Sequence, residues 1–354
     1  MLSVGHYLTG SELLTFQQRA SRHIAFSVTE ACPLKCAHCI VATVKPSERY
    51  HVTLSLDQAR TYAEQLPDLR KLGVERVSFT GGEPVLASEQ LKLLSAGAVA
   101  AGMECTVVTA CHWAKTQQAA RKQLQELPDI RNWHLSTDRF HEEYLPIGFV
   151  LTAAQAALAE ERNVLVRMAV NSLPTLEDQR VFDRLRKLLP ENVDIAIQSV
   201  SKVGRAENLD IDVPSGNRSG IPCLSTGLVV RYDGTVSPCC SSLIDQREGH
   251  PFRYESASEV GLSNTYEAWS SDPLLRLIRS VGFDPLLRWV QDEIPDHPIL
   301  ESVPDHPCEI CTGLWRKAGT AEMLRARCDS EETRRKVDEL YNTLFASSAS
   351  PTKR

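Results

Sequence analysis

The chain lacks any window near the roughly 20 uncharged apolar residues that span a membrane. Its start, "MLSVGHYLTGSELLTFQQR", has no basic run leading into an apolar signal core. Neither a membrane span nor a secretory signal is expected, and a cytoplasmic protein follows. Net positive charge is missing too. The formal charge of −6 at pH 7 provides no whole-surface attraction for nucleic acid or an anionic membrane, so neither is expected as a partner. No internal repeat is present beyond an alternation of strands and helices. What is present in excess is cysteine, with 11 in 354 residues. A chain of this length can bury a sizeable core without staples, and reducing cytosol disfavours disulfides. Metal or thiol chemistry is the expected use of these residues.

From residue 24, short β-branched runs ("HIAFSV", "VERVSFT", "CTVVT", "WHLST", "VLVRMAV", "VDIAIQSV") alternate with stretches whose apolar positions recur three or four apart. Six strand–helix units imply a parallel sheet covered by helices, an α/β fold of the open, partial (βα)6 barrel kind. The expected layout is an N-terminal extension at 1–23, the barrel at 24–205, a second domain at 206–328, and a closing helix and tail at 329–354. The second domain begins in a Gly/Ser/Asp-rich linker. It continues with a hairpin, "LVVRYDGTVSPC", turned at Asp233–Gly234 as a two-residue turn. A helical pair, a "PCEIC" loop and the helix "SEETRRKVDELYNTLF" follow.

In parallel βα folds chemistry collects where strands end. After strand one stand Cys32, Cys36 and Cys39 in C-x3-C-x2-C spacing, and after strand two "TGGEP", Thr80 to Pro84. After strand three comes "TACHWA", and after strand four "STDRFHEEYLP". Three thiols leave one corner of a [4Fe–4S] cluster open to a further ligand; the alternative is a zinc knuckle with a distant fourth ligand.

These motifs resemble the radical SAM superfamily. The resemblance implies that Cys32, Cys36 and Cys39 hold three irons of a [4Fe–4S] cluster. The fourth iron then binds S-adenosylmethionine, which is cleaved to a 5′-deoxyadenosyl radical. It also implies that Gly81 and Gly82 let backbone approach the methionine end of that cofactor, while Glu83 accepts from its amino group. Ser136 and Asp138 resemble a ribose-contacting pair, and His38 stands at the usual aromatic position near adenine; it reads equally as a surface imidazole. Arg167 is placed like a partner of the methionine carboxylate, or else serves a structural ion pair. The family's usual Thr-Asn-Gly after strand three is here Thr109–Ala110–Cys111, so the asparagine's role does not carry over.

Cys223, Gly234 and Cys239 give C-x10-G-x4-C, and Cys308 with Cys311 adds C-x2-C. This resembles the SPASM and twitch extensions, and because the next cysteine, Cys328, comes only after sixteen intervening residues, a single auxiliary [4Fe–4S] cluster of twitch type is implied. A four-cysteine zinc ribbon is the alternative, with Cys328 a possible substitute ligand. The whole pattern resembles radical SAM peptide epimerases. That likeness implies an isomerase acting in maturation of a ribosomal precursor peptide, reduced by an electron donor such as a flavodoxin or ferredoxin. Cys240 would return hydrogen to the opposite face, with Cys111 the alternative donor near the barrel mouth. The rival readings are peptide cross-linking through a thioether or carbon–carbon bond and, more remotely, a zinc-stapled binding module. The 23 residues before strand one are too few for a winged-helix leader-binding domain, so leader recognition is expected from the barrel mouth, the second domain or another protein.

Overall fold

The computed structural model describes residues 9–211, 220–244, 246, 248–304 and 306–345. The first eight residues of the N-terminal extension, residues 212–219 of the expected linker and the tail from 346 lie outside them. Six parallel strands form where alternation places them: β1 His23–Thr29, β2 Arg76–Gly81, β3 Glu104–Thr109, β4 Asn132–Ser136, β5 Asn163–Val170 and β6 Asp194–Ser199. A hairpin adds β7 Leu228–Arg231 and β8 Val236–Ser237. Among the described residues these make one sheet in the order β6-β5-β4-β3-β2-β1-β7-β8. The sheet is open at both edges, and the fold is an α/β partial barrel.

The strands' period of two sorts their side chains. One face carries Phe26, Phe79, Val107, Trp133 and Val166, all essentially inaccessible to solvent. Against it pack the helices Leu56–Lys71, Ser88–Ala100, Gln117–Glu126, Gly148–Ala159 and Leu176–Leu188. Each such large apolar side chain contributes about 1.5–3 kcal/mol by leaving water. Ser55, Thr116 and Thr175 cap three of these helices by accepting from backbone N–H groups of the first turn. The opposite face, which lines the lumen, is polar: Ser78, Thr80, Thr106, His134, Ser136 and Arg167 alternate with the apolar set. The first of these helices, Leu56–Lys71, runs through Pro67. Burial of Leu66 and Leu69 outweighs the proline, whose own position is exposed.

The hairpin is continuous with the barrel. β7 runs parallel to β1, pairing Leu228 with Ile24 and Arg231 with Ser27. Its turn holds three residues, not two, because the Arg231 N–H donates to the Thr235 carbonyl across Tyr232–Gly234. A two-residue type I′ turn needs positive φ at both centres. Here only Gly234 has it, at 82°, and Asp233 does not.

An N-terminal helix, Gly10–Ser21, starts from a capping box between Thr9 and Glu12. The Gln17 side chain donates to the Cys223 carbonyl at 2.7 Å and accepts from Arg279 Nε at 2.9 Å. The expected helical pair forms at Pro273–Val281 and Asp284–Glu293, and the closing helix at Glu331–Phe345. "PCEIC", expected as a loop, opens the helix Pro307–Leu314, with Pro307 in its first turn and His306 as its cap. Among the described residues no helix is long and apolar enough to cross a membrane.

His23 begins β1 in a buried site. Its Nδ1 lies 2.6 Å from the Thr226 carbonyl, which only accepts, so Nδ1 carries the proton and Nε2 accepts from the Ser78 hydroxyl at 2.7 Å. Burial, with Arg76 adding, pushes its pKa down to about 4 against the pull of the Thr226 bond. In the unfolded chain histidine titrates near 6.5. The neutral ring therefore stabilises the fold fully above the unfolded value, and this is lost as pH falls from 6.5 toward 4, on the order of 3 kcal/mol. Urea midpoints measured from pH 7 to 4 should fall more steeply for wild type than for His23→Gln; equal slopes would clear His23 of this role.

Candidate active site

The three-cysteine loop leaves β1 and is held by short backbone bonds. Cys32 N–H donates to Val44 O at 2.9 Å, Val44 N–H to Glu30 O at 3.0 Å, and Cys39 N–H to Cys36 O at 3.1 Å. Two thiols also accept from backbone: Leu34 N–H lies 3.4 Å from Cys32 Sγ, and Val41 N–H 3.5 Å from Cys39 Sγ. Burial pushes the Cys32 and Cys36 thiols up to about 12, with Glu83 adding at Cys32 and Asp138 at Cys36, while Arg205 acts the other way on both. Without a cation these thiols stay protonated; a metal supplies the charge that makes them thiolates.

Beside them lies the end of β2. A Cβ on Gly81 would sit 2.1 Å from the Thr29 carbonyl oxygen, and one on Gly82 2.3 Å from that of Ala31. Gly81 also has φ of 135°. Gly82 N–H donates to Thr29 O at 2.6 Å and Glu83 N–H to Ala31 O at 2.8 Å. The two glycines, expected to make room for a cofactor, thus make room for the backbone of the cysteine loop. Glu83 is buried, and its carboxylate accepts from Thr109 Oγ1 at 2.8 Å and Ala110 N–H at 2.9 Å, which ties β2 to the end of β3.

Cys111, expected at the rim, is fully buried in the apolar core. Its φ of 65° turns the side chain inward, where its thiol lies 3.8 Å from the Thr109 carbonyl, and burial holds its pKa well above the ordinary value.

Asp138 ends the β4 loop as the cap of the short helix Arg139–Glu142 and accepts from the N–H groups of Phe140 and His141 at 3.0 and 2.9 Å. Burial would raise its pKa, yet His141, His38 and the backbone bond hold it below the usual carboxylate range. His38 Nε2 lies 3.6 Å from Asp138, and its ring packs against Phe140 at 4.7 Å. Burial pushes its pKa down to about 4. Arg167 donates to Gln198 Oε1 at 2.7 Å and is an electrostatic neighbour of Cys240, on the far side of the lumen. Ser136 stands opposite Arg167 in the β4–β5 register.

The second cysteine set converges. Cys239 feels the charges of Cys223, Cys240 and Cys308, Cys223 those of Cys308 and Cys240, and Cys311 those of Cys239, Cys223 and Cys308. Burial pushes Cys223 up to about 11. Cys308 goes the other way: burial would raise it, but His306, Ser241 and Ser242 outweigh that and hold it low. Trp315 Nε1 donates to Cys311 Sγ at 3.3 Å. Cys308 and Cys311 are three apart on one helix, hence on one face. Cys328 is buried elsewhere, among Asp272, Arg325 and Asp329. Cys240 is half-exposed, its Sγ 2.8 Å from Thr226 Oγ1.

Among the described residues the three metal-donor atoms that lie within 4.8 Å of one another are those of His38, Asp138 and His141; neither cysteine set closes that tightly.

Residues 26–148 match the Radical SAM superfamily model. Similar curated proteins are GTP 3',8-cyclases. That of Synechococcus elongatus is 26% identical over 158 residues, covering 45% of this chain and 47% of the relative. That of Listeria monocytogenes serovar 1/2a is 29% identical over 196 residues, covering 53% and 56%. That of Mannheimia succiniciproducens is 29% identical over 92 residues, covering 26% of each. The chain thus spans about half the length, or less, of these relatives. A radical SAM domain is present, and that family implies a [4Fe–4S] cluster and S-adenosylmethionine.

Two outcomes follow from this geometry. Gly82→Ala forces a methyl into the Ala31 carbonyl and should cost about 3 kcal/mol, with a lowered melting temperature and reduced iron uptake. Gly148→Ala, which meets nothing within 4 Å, should match wild type; normal iron in Gly82→Ala would show that the contact is dispensable. Anaerobic reconstitution should load about eight irons, two four-iron clusters. Replacing Cys32, Cys36 and Cys39 by alanine should leave half, and replacing Cys308 and Cys311 should leave the other half. Full iron after the second change would mean those residues are not ligands.

Proposed function

We propose that this radical SAM enzyme inverts an α-carbon in a ribosomally made peptide, with Cys240 as the hydrogen donor. The observation that supports this reading is Cys240 itself: a half-exposed thiol next in sequence to the buried Cys239, its Sγ 2.8 Å from Thr226 Oγ1. Cys32, Cys36 and Cys39 would hold the first cluster; Cys223, Cys239, Cys308 and Cys311 an auxiliary one, of twitch type. When bound, the first cluster and S-adenosylmethionine supply a carbon radical able to take an α-hydrogen. The protein's own part is to hold the peptide in the lumen with one face toward that radical and the other toward Cys240. The S–H bond of Cys240 then breaks homolytically as the new C–H bond forms. The sulfur, left one electron short, is restored by one electron from a flavodoxin- or ferredoxin-like donor and one proton from solvent.

A nucleotide substrate is the second reading, favoured by the similarity to GTP 3',8-cyclases. The lumen argues against it. On the lumen face of the strands, Arg167 and Arg231 carry fixed positive charge, and Arg231 is paired with Glu30. His134 is held neutral, its pKa pushed down to about 4 by burial and by Arg167. A triphosphate calls for several charge-assisted donors.

The origin of the hydrogen that ends the reaction separates the readings. Thiol protons exchange with solvent, so in deuterated water the peptide should gain one deuteron per inverted centre, and hydrolysis should release D-residues. Cys240→Ala should still consume S-adenosylmethionine and abstract hydrogen, yet form no D-residue. A product two hydrogens lighter with no deuterium gained would make the enzyme a cross-linker, and turnover of GTP without any peptide would favour the nucleotide.

A further inference from the structure

The 3-10 turn Gly204–Asn208 follows β6 and presses directly on the first cysteine loop. Gly204 has φ of 59°, and a Cβ there would lie 2.8 Å from Ile40 Cα and 2.9 Å from the Cys39 carbonyl oxygen. Arg205 N–H donates to that carbonyl at 3.0 Å, and Arg205 Nη2 donates to Thr43 Oγ1 at 3.3 Å. Its Nε is buried without a hydrogen-bond partner. The guanidinium is an electrostatic neighbour of Cys32, Cys36 and His38. Two buried carboxylates press on the same thiols from the other side, Glu83 on Cys32 and Asp138 on Cys36. Around Cys32 and Cys36, the fixed charge of Arg205 is thus set against two anions.

We propose that Arg205 is a tuning residue for the first cluster: its fixed charge offsets Glu83 and Asp138 and keeps the three-thiolate site reducible. Adding an electron makes the site more negative, so a nearby cation favours the reduced state and a nearby carboxylate opposes it; at low local dielectric both effects are large. The position of Arg205 is fixed by contacts to Cys39 and Thr43, not by an ion pair that would cancel its charge. The inference rests on the first cluster alone and is independent of the peptide reading.

The test is an electron-paramagnetic-resonance redox titration without peptide or S-adenosylmethionine, on the full chain carrying Cys308→Ala and Cys311→Ala. If two signals remain, the one followed is that lost on adding Cys36→Ala. With Arg205→Gln the ratio of reduced to oxidised cluster at fixed potential should fall about tenfold, a shift of about 59 mV downward for one electron. Arg205→Lys should restore most of it, which a purely structural role would not require. Full iron with an unmoved midpoint in Arg205→Gln overturns the proposal. Should Arg205→Gln fail to hold iron, Thr43→Val decides, since it loosens the guanidinium without touching a group beside the thiols. A downward shift supports the role of Arg205, and a wild-type midpoint overturns it.

Discussion

The contact on which the rest depends is backbone against backbone: Gly81 and Gly82 at the end of β2 lie on Thr29 to Ala31 at the end of β1, at distances that no side chain could share. Peptide groups rarely approach so closely outside a ladder, and glycine is what allows it. The consequence passes along the rim. Glu83, carried by the same turn, reaches Thr109 and Ala110, so the ends of β1, β2 and β3 are tied in series. The three thiols inherit their positions from that series. A loop of eight residues from the first cysteine through the last has too little core of its own to hold three ligands in place; the neighbouring strand end does it.

The second cysteine set is tied to the same frame by charge. Arg231 on β7 pairs with Glu30, two residues before Cys32, and also donates to the Ile244 carbonyl just beyond Cys240. Arg231 is buried, and removing one partner of such a pair strands the other charge, at a cost of about 3–5 kcal/mol. Behind the set, Gln17 bridges the Cys223 carbonyl and Arg279. Ahead of it, Lys202 N–H donates to Glu309 Oε1 at 2.8 Å, joining the segment after β6 to the Cys308–Cys311 helix. The two thiol groups therefore belong to one mechanical unit, although a linker and a change of pattern in the sequence suggest two.

What local pattern controls was legible before the structure. Strands and covering helices follow from periods of two and 3.6, and the rim position of the cysteines follows from strand order. What escaped is set by partners far away in the chain. Nothing near residue 17 announces that it meets Cys223, and nothing near Gly204 shows that its missing side chain admits Cys39. Nothing near Gly81 and Gly82 announces that an added Cβ would also strike the loop that begins at Thr29. Some signals were present and underused: Thr9 with Glu12 spells a helix start, and His306–Pro307 another. The burial of Cys111 rests on a positive φ that sequence patterning does not report.

Cys239 and Cys240 follow β8 in adjacent bends, the first buried and the second half-exposed, and their placement comes down to the register of the hairpin. A slip of one residue would exchange them. Several independent contacts prevent it. Val229 pairs with Ser237 and Val230 with Val236, and Gly234 sits where a Cβ would strike Ser258 Oγ at 2.0 Å. Trp269 Nε1 donates to the Pro238 carbonyl at 2.9 Å, and the Ser237 hydroxyl lies 2.8 Å from Cys239 O and 3.1 Å from Leu243 O. A hairpin with so short a second strand would hold its register weakly by ladder bonds alone. The surrounding side chains supply the specification, and they do so where a single-residue error would exchange the buried and the half-exposed sulfur.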